Sequence, residues 1–385
     1  MLGIDERLAA IRGSSDRKRH NARTLAALTT NPGCARRAIL DAAGVHKDKI
    51  AARVGHPTEI GKMSKIAVLR GTFFEQQVKA EGGAEMLRLL RAELGLPIEQ
   101  AHYEDLGAAE VDATDPRSKR EQSNESRYQL TRQAMRMTAG SGPDAGTMFA
   151  SPMLRIAFGG VWVYLEPDLV AFQIGDKFHI VEIKSFPIID EVADPGKVAG
   201  ALRQAAVYVI ALQNLMEELG RGRDLVSPEV LLVCPKDFTN QPTAAVRNVR
   251  KELAVIRRQL ERMDQVREIL RAVPQEVTFD LAADRQGRPT RSPADLKRAL
   301  NQIPARYSPD CLSNCEMGRF CRSEARGSTN VLGRTIREDL GGVDSTSMAV
   351  ALATGRLRPT DDLEETAHLL RTIYTMRADC LQGAS

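Results

Sequence analysis

The 385-residue chain has no apolar run long enough to cross a bilayer, and its first residues hold no apolar signal core. A membrane-spanning or exported protein is therefore not expected, and a cytoplasmic one is. Cysteine is scarce: Cys34, Cys234, Cys311, Cys315, Cys321 and Cys380. In a chain of this size without a signal peptide they do not form a disulfide framework. There is one tryptophan, Trp162, and a single aromatic makes no platform for stacking bases. It begins a strand, where core packing explains it more easily. No internal repeat and no groove-reading module is visible, so sequence-specific nucleic-acid readout is not expected. Charge of either sign is not in great excess: the net charge is +4 and the pI about 8.7. That balance permits a polyanionic partner without requiring one. Hydrophobic residues make up 43%, enough for a real core in one large domain or two.

Against that background, two apolar runs contain costly charges. Trp162-Val-Tyr-Leu-Glu-Pro-Asp168-Leu-Val-Ala-Phe-Gln and Phe178-His-Ile-Val-Glu182-Ile-Lys184-Ser-Phe read as adjacent β-strands. Charges inside strands cost free energy unless they are paired or used. Two converging carboxylates suit a hard divalent cation, Mg²⁺ or Mn²⁺. Lys184 lies two residues after Glu182, on the same strand face, where it can hold a phosphate or an attacking water. Register decides whether the three meet. A two-residue turn at Gly175-Asp176 pairs Ile174 with Lys177 and puts Asp168 opposite Ile183, on the wrong face. A three-residue loop with a bulge pairs Ile174 with Phe178, sets Asp168 opposite Lys184 and Glu182 opposite Val170, and aligns all three. The bland alternative is an edge strand whose Glu and Lys face water. His179, alone on the same hairpin, reads as structural.

Neighbouring elements carry more. A helical stretch over about 196–219 holds Gln204 and Tyr208, four residues apart and so on one face. Gly71-Thr-Phe-Phe-Glu75 lies in a second helical pattern that runs to about Leu94. Pro167-Asp168, then Glu182-Ile183-Lys184, then Gln204-x-x-x-Tyr208 resembles the PD-(D/E)XK nuclease superfamily, in its RecB-like branch. Gly71-x-x-x-Glu75 resembles that branch's first motif, with glutamate where histidine is frequent. The resemblance implies an α/β, restriction-endonuclease-like αβββαβ core with a mixed sheet. It implies Asp168, Glu182, Glu75 and the carbonyl of Ile183 as metal ligands, with Lys184, Gln204 and Tyr208 assisting. The implied activity is Mg²⁺- or Mn²⁺-dependent hydrolysis of DNA phosphodiesters, on single strands or at ends, as an exonuclease or otherwise.

Cys311-x-x-x-Cys315-x-x-x-x-x-Cys321 has metal-ligand spacing but supplies three thiolates, whereas tetrahedral zinc and a cubane cluster take four ligands. Cys34, in Asn31-Pro-Gly-Cys34-Ala-Arg36-Arg37, is the candidate fourth. One N-terminal and three C-terminal cysteines around a RecB-like core resemble the iron–sulfur nucleases of AddB type and of CRISPR adaptation. The resemblance implies a four-iron four-sulfur cluster that staples helical N- and C-terminal regions around the core. Structural zinc is the alternative. Cys234 ends an apolar strand and reads as a buried small hydrophobe; Cys380 has no assigned role.

The expected organisation is a helical region over 1–60 and a nuclease core over 61–240 interrupted by a polar insertion at about 99–149. An amphipathic-helix and cysteine region follows over 241–330, then small helices over 331–385. Within the insertion, 107–127 reads as mobile. Thr243–Val273 reads as one long helix with a basic face. Arg36 and Arg37, with Arg285, Arg288 and Arg291 in a basic loop, are candidate phosphate contacts. DNA is the implied partner, alone or with a helicase, an ATPase or other subunits in repair, CRISPR adaptation or antiviral defence. The rival reading is a metal-stapled DNA-binding or scaffold subunit with little activity of its own.

Overall fold

The computed structural model describes residues 3–60, 65–95, 101–107, 118–138, 146–158, 161–174, 177–189, 192–237, 239–264, 266–286 and 288–382. Helices α1 (Ile4–Arg12), α2 (Ala22–Ala27), α3 (Ala35–Ala43) and α4 (Lys47–Arg53) come first. They are followed by α5 (Lys65–Leu94), α6 (Ser118–Thr138), α7 (Pro195–Glu218), α8 (Arg250–Asp264) and α9 (Val266–Arg271). The last are α10 (Pro293–Asn301), α11 (Cys311–Asn314), α12 (Gly318–Glu324), α13 (Arg334–Asp339), α14 (Thr346–Ala353) and α15 (Glu364–Gln382). The strands are β1 (Ala101–Asp105), β2 (Gly146–Ala150), β3 (Leu154–Phe158), β4 (Val161–Leu165), β5 (Leu169–Ile174), β6 (Lys177–Ile183), β7 (Glu229–Pro235) and β8 (Pro242–Asn248). Residues 1–18, 30–61 and 266–385 form one compact unit, and 19–29 with 62–265 form another.

The second unit is mixed α/β. Its six-stranded mixed sheet runs β1-β2-β5-β6-β7-β8, with β1–β2 and β6–β7 parallel and the other pairs antiparallel. Parallel β6 and β7 need a crossover, and α7 supplies it. That helix starts sharply because the Asp194 side chain accepts the Lys197 amide and Pro195 holds the first turn. Period-two alternation sends β5 and β6 side chains to two apolar layers. Val170, Phe178 and Ile180 pack with Ala205, Tyr208 and Leu212 of α7, while Leu169 and Val181 pack with Phe74, Val78 and Met86 of α5. β3 and β4 form a separate two-stranded sheet. Helix α5 is broken at Ala80–Gly83, where Glu81, Gly82 and Gly83 have positive φ.

The first unit is helical. Arg7 donates to the carbonyls of Pro274 and Val277, and the Phe279 amide donates to the Ile11 carbonyl, so early and late segments interlock. A separate apolar cluster of Leu340, Val343, Leu352, Leu363 and Ala367 ties α14 to α15.

Three expectations are corrected. Residues 243–273 are not one helix: β8 pairs with β7 from Glu229↔Asn248 to Pro235↔Pro242, and α8 and α9 follow. The apolar spacing of Val246, Val249 and Leu253 suits a helix, but Ala244 and Val246 alternate against the sheet. The stretch 107–127 is not simply a mobile insertion. From Ser118 it belongs to α6, which buries Tyr128, Thr131 and Met135, while 108–117 lies outside the described residues. The first apolar run is two strands in two sheets, broken at Pro167, and Asp168 sits between them.

Candidate functional site

Gly175 and Asp176 lie outside the described residues, but the pairing beside them is clear. Ile174 pairs with Lys177, as a two-residue turn requires, and then an irregularity between Phe172 and Ile174 shifts the ladder. Beyond it Phe172 pairs with Phe178 and Leu169 with Val181. Continued by one residue, Asp168 comes level with Glu182 rather than with Lys184, a two-residue slip from the expected register that leaves the face unchanged. The bulge supplies the parity that the turn alone would have lost.

Asp168 is anchored at the mouth of this hairpin. Its Oδ2 accepts the Ile183 amide at 2.6 Å, and its carbonyl accepts the Ser151 amide at 3.1 Å. Glu182 is 1% exposed, and neither carboxylate oxygen accepts a well-formed hydrogen bond, although Lys184 Nζ makes an ion pair with Oε1. Lys184 follows β6, where its amide joins the Val233 carbonyl at 2.8 Å. Its Nζ donates to Gln204 Oε1 at 3.2 Å, and Gln204 Nε2 donates to the Tyr208 hydroxyl at 3.1 Å. The helix face chosen by its four-residue spacing thus orients the lysine.

The electrostatics follow from burial. Loss of water pushes the Asp168 carboxyl to about 6, with the Glu75 charge adding, against Lys184, the Ile183 amide and Lys79. Burial, and then the Asp168 charge, push Glu182 to about 8. Burial alone would lower Lys184, but Glu182 and Asp168 outweigh it and raise it. Lys184 therefore remains an ammonium, a donor and counter-charge rather than a base. Burial and the two carboxylates raise Tyr208 well above its usual range, so its hydroxyl keeps its proton.

Glu75 reaches this neighbourhood from α5, its charge acting on both Asp168 and Glu182, and it comes with a lysine. Lys79, one turn on, contacts Glu75 Oε1 at 2.5 Å and Ser151 Oγ at 3.2 Å. Ser151, just after β2, has a φ of 48°. A non-glycine residue there costs about 1–2 kcal/mol and persists only where its surroundings over-determine it. Arg127 of α6 donates to the Ser151 carbonyl at 3.0 Å and pairs with Glu166 at 3.1 Å. Among the described residues no three His, Cys, Asp or Glu side chains are grouped to hold a metal ion. The chemistry of the donors still fits a hard cation, because buried Glu182 Oε2 has no partner, Oε1 meets only Lys184, and such an ion satisfies carboxylate oxygens.

The four candidate cysteines belong to the first unit. Cys311, Cys315 and Cys321 are buried and Cys34 is half-buried. Asn31 Nδ2 donates to Cys311 Sγ at 3.1 Å, and Arg36 Nη1 to Cys321 Sγ at 3.4 Å. Burial pushes the Cys321 thiol up to about 12, against Arg36, and the nearby Cys315 and Cys34 add to the rise. Burial also raises Cys315, against Lys47 and Arg37. Among the described residues these cysteines form no group of three placed to hold a metal ion, although Asn31 and Arg36 direct N–H donors at two of the sulfurs.

Arg36 and Arg37 are not phosphate contacts. They are 4% and 6% exposed. Arg36 is spent on Glu324, the Leu300 and Ile303 carbonyls and Cys321, and Arg37 on Asp41, Thr30 and the Asn314 carbonyl. Around them Lys47 pairs with Asp41 at 2.6 Å and with Glu316 at 3.0 Å. Burial would raise Glu316, but Lys47 and Lys18 hold it down to about 2. Arg285 and Arg288 are exposed and Arg291 is half-buried; Arg288 pairs with Asp284 at 2.9 Å. Trp162 is not a core residue. It is 49% exposed and stacks on the Arg155 guanidinium, 4.2 Å from the ring centroid. His179 is buried with Nδ1 3.0 Å from the Glu229 carbonyl, and Cys234 is fully buried, both in structural settings as expected.

No family model matches the chain, and no curated protein matches it. The crystal structure of SSO0001 overlays 68% of this chain and 84% of that one at 11% identity, with a TM-score of 0.26, a likeness that carries no argument.

Proposed function

We propose that the protein is a divalent-metal-dependent nuclease that hydrolyses DNA phosphodiesters, acting on single strands or ends, on a restriction-endonuclease-like core. The carrying observation is the constellation of half-buried Asp168 and Lys184 with fully buried Glu182 on one face of a bulged hairpin, where Glu182 Oε1 meets only Lys184 and Oε2 has no partner. The order α5, β2, β5, β6, α7, β7 supports that core. Asp168 and Glu182 would hold Mg²⁺ or Mn²⁺, with Glu75 and the Ile183 carbonyl as further ligands. When bound, the ion supplies Lewis acidity at the phosphate and a more acidic water. Lys184, kept charged by its carboxylates, orients the water or offsets charge growing on the phosphoryl oxygens. Gln204 fixes the lysine, and Tyr208 fixes Gln204. Cys34, Cys311, Cys315 and Cys321 would hold a four-iron four-sulfur cluster, or zinc, whose contribution is to cross-link the first unit.

Protein purified anaerobically, incubated with Mn²⁺ and single- or double-stranded DNA, tests this reading. Asp168→Ala and Lys184→Ala should each lose at least ~100-fold in cleavage with nearly unchanged melting. An Asp168→Ala protein that cleaves like wild type would place the activity elsewhere. Binding without any cleavage by wild type would favour the scaffold reading.

A further inference from the structure

Lys79, Ser151 and Arg127 hold no metal ligand role, yet Lys79 touches Glu75 and Ser151, and Ser151 joins the Asp168 carbonyl and Arg127. Ser151 is fixed on every side. Its amide donates to the Asp168 carbonyl, its carbonyl accepts from Arg127, and its hydroxyl accepts from Lys79. Behind it Gly107 approaches so closely that a Cβ there would lie 2.8 Å from the Ser151 Cβ. A turn that only needed a positive φ would be served at lower cost by glycine. Serine in its place retains a hydroxyl beside an ammonium. That hydroxyl accepts from Lys79, and its own proton has no acceptor among the described residues. An ammonium carries three N–H donors, of which Lys79 directs one at Ser151 and one at Glu75. The Glu75 oxygen nearest Lys79 cannot serve a cation and that N–H equally. When Glu75 turns toward a cation, the N–H it leaves needs another anion.

We propose that Lys79 and Ser151 form a phosphate subsite, which holds a phosphodiester of single-stranded DNA next to the one cleaved, with Arg127 as the residue that positions Ser151. The subsite rests on the nuclease reading of the neighbouring carboxylates. Lys79 supplies charge and N–H donors to the phosphate oxygens, and Ser151 supplies one O–H. Arg127 acts through the backbone: its contacts with the Ser151 carbonyl and with Glu166 hold the strained residue against the Asp168 carbonyl.

The test is fluorescence anisotropy of a labelled single-stranded oligonucleotide, in Ca²⁺ and over a range of salt, with Lys79→Gln and Ser151→Gly. Lys79→Gln keeps a polar side chain, one atom shorter, and removes the charge. It should weaken binding about five- to tenfold and reduce the salt slope by ~0.7, the value for one phosphate on a single strand. Ser151→Gly should weaken binding several-fold at an unchanged slope, yet melt no lower than wild type, because glycine accepts this φ without strain. A purely structural serine would not show that split. Mn²⁺ affinity of the DNA-free protein should not fall in Lys79→Gln. If it falls in step with oligonucleotide binding, Lys79 acts only through Glu75 and the subsite is wrong. Wild-type affinity and slope in both variants, with wild type binding well, would overturn the subsite alone. A wild-type protein that binds no oligonucleotide would overturn the nuclease reading and the subsite with it.

Discussion

Glu182→Gln should stabilise the metal-free protein, and only at neutral to alkaline pH. In the unfolded chain this carboxyl titrates near 4.5, and in the folded protein burial holds it near 8. The native state therefore binds more protons across that window. The sign is negative: no cost appears below about 4.5, the cost grows as pH rises, and it is complete above about 8. At about 1.4 kcal/mol per pH unit the full cost approaches ~5 kcal/mol. Replacing the carboxylate by an amide of the same shape removes it. Lys184 then loses its counter-ion, which takes back part of the gain, so a net ~1–3 kcal/mol is expected at pH 8.5. Melting curves of wild type and Glu182→Gln in EDTA, at pH 5 and pH 8.5, read the difference. The variant should melt several degrees higher at pH 8.5 and about equal at pH 5. A difference that does not grow with pH would refute the claim that Glu182 is an ionisable group held against its solvation. Activity should be lost in the same variant, the usual opposition between a strained site and a stable fold.

The proton that burial places on Glu182 must leave before a cation binds, so Mn²⁺ affinity should rise about tenfold per pH unit between pH 6 and 8, and more steeply below 6 where Asp168 is also protonated. Titration calorimetry checks this, and a flat profile would remove both carboxylates as ligands. Cys34→Ser should lower iron or zinc content and the melting temperature together, since a shared centre closes a loop of more than two hundred residues. Cys234→Ser should keep its metal, and full metal with an unchanged melt in Cys34→Ser would exclude Cys34. Arg36→Ala should cost about 3 kcal/mol by leaving Glu324 and buried carbonyls without a partner, yet leave the salt dependence of DNA binding unchanged. Loss of that salt dependence would return Arg36 to the phosphate contacts.

The hairpin charges, the crossover helix and the strand after it were legible because buried carboxylates and clean periodicity leave few alternatives. β8 was not, because Val246, Val249 and Leu253 meet a helical spacing across a strand–helix junction. Only Pro242 and the short Ala244–Val246 alternation argued otherwise. α6 was hidden by its own composition. Tyr128, Thr131, Met135 and Thr138 form a buried stripe at helical spacing, but two of the four are threonines and the rest of the segment is charged. Arg36 and Arg37 show the limit of reading charge without depth, since a basic pair facing solvent and one facing a carboxylate look alike in sequence. Lys79 could have been found one turn after Glu75. Ser151 could not, because its importance lies in a backbone angle and in contacts from distant segments.

The bulge in β5 has a consequence for length variation. The arm from Asp168 to the turn is one residue longer than the arm from the turn to Glu182, and the irregularity near Gln173 takes up the surplus. Shortening the first arm by one would let the two match as a regular ladder, with Asp168 still level with Glu182. Shortening the second arm by one doubles the mismatch, and a single bulge can no longer absorb it. The chain therefore has one deletion it can accept here and a mirror-image one it cannot. Lengths in this hairpin are free to drift only on the side that already carries the spare residue.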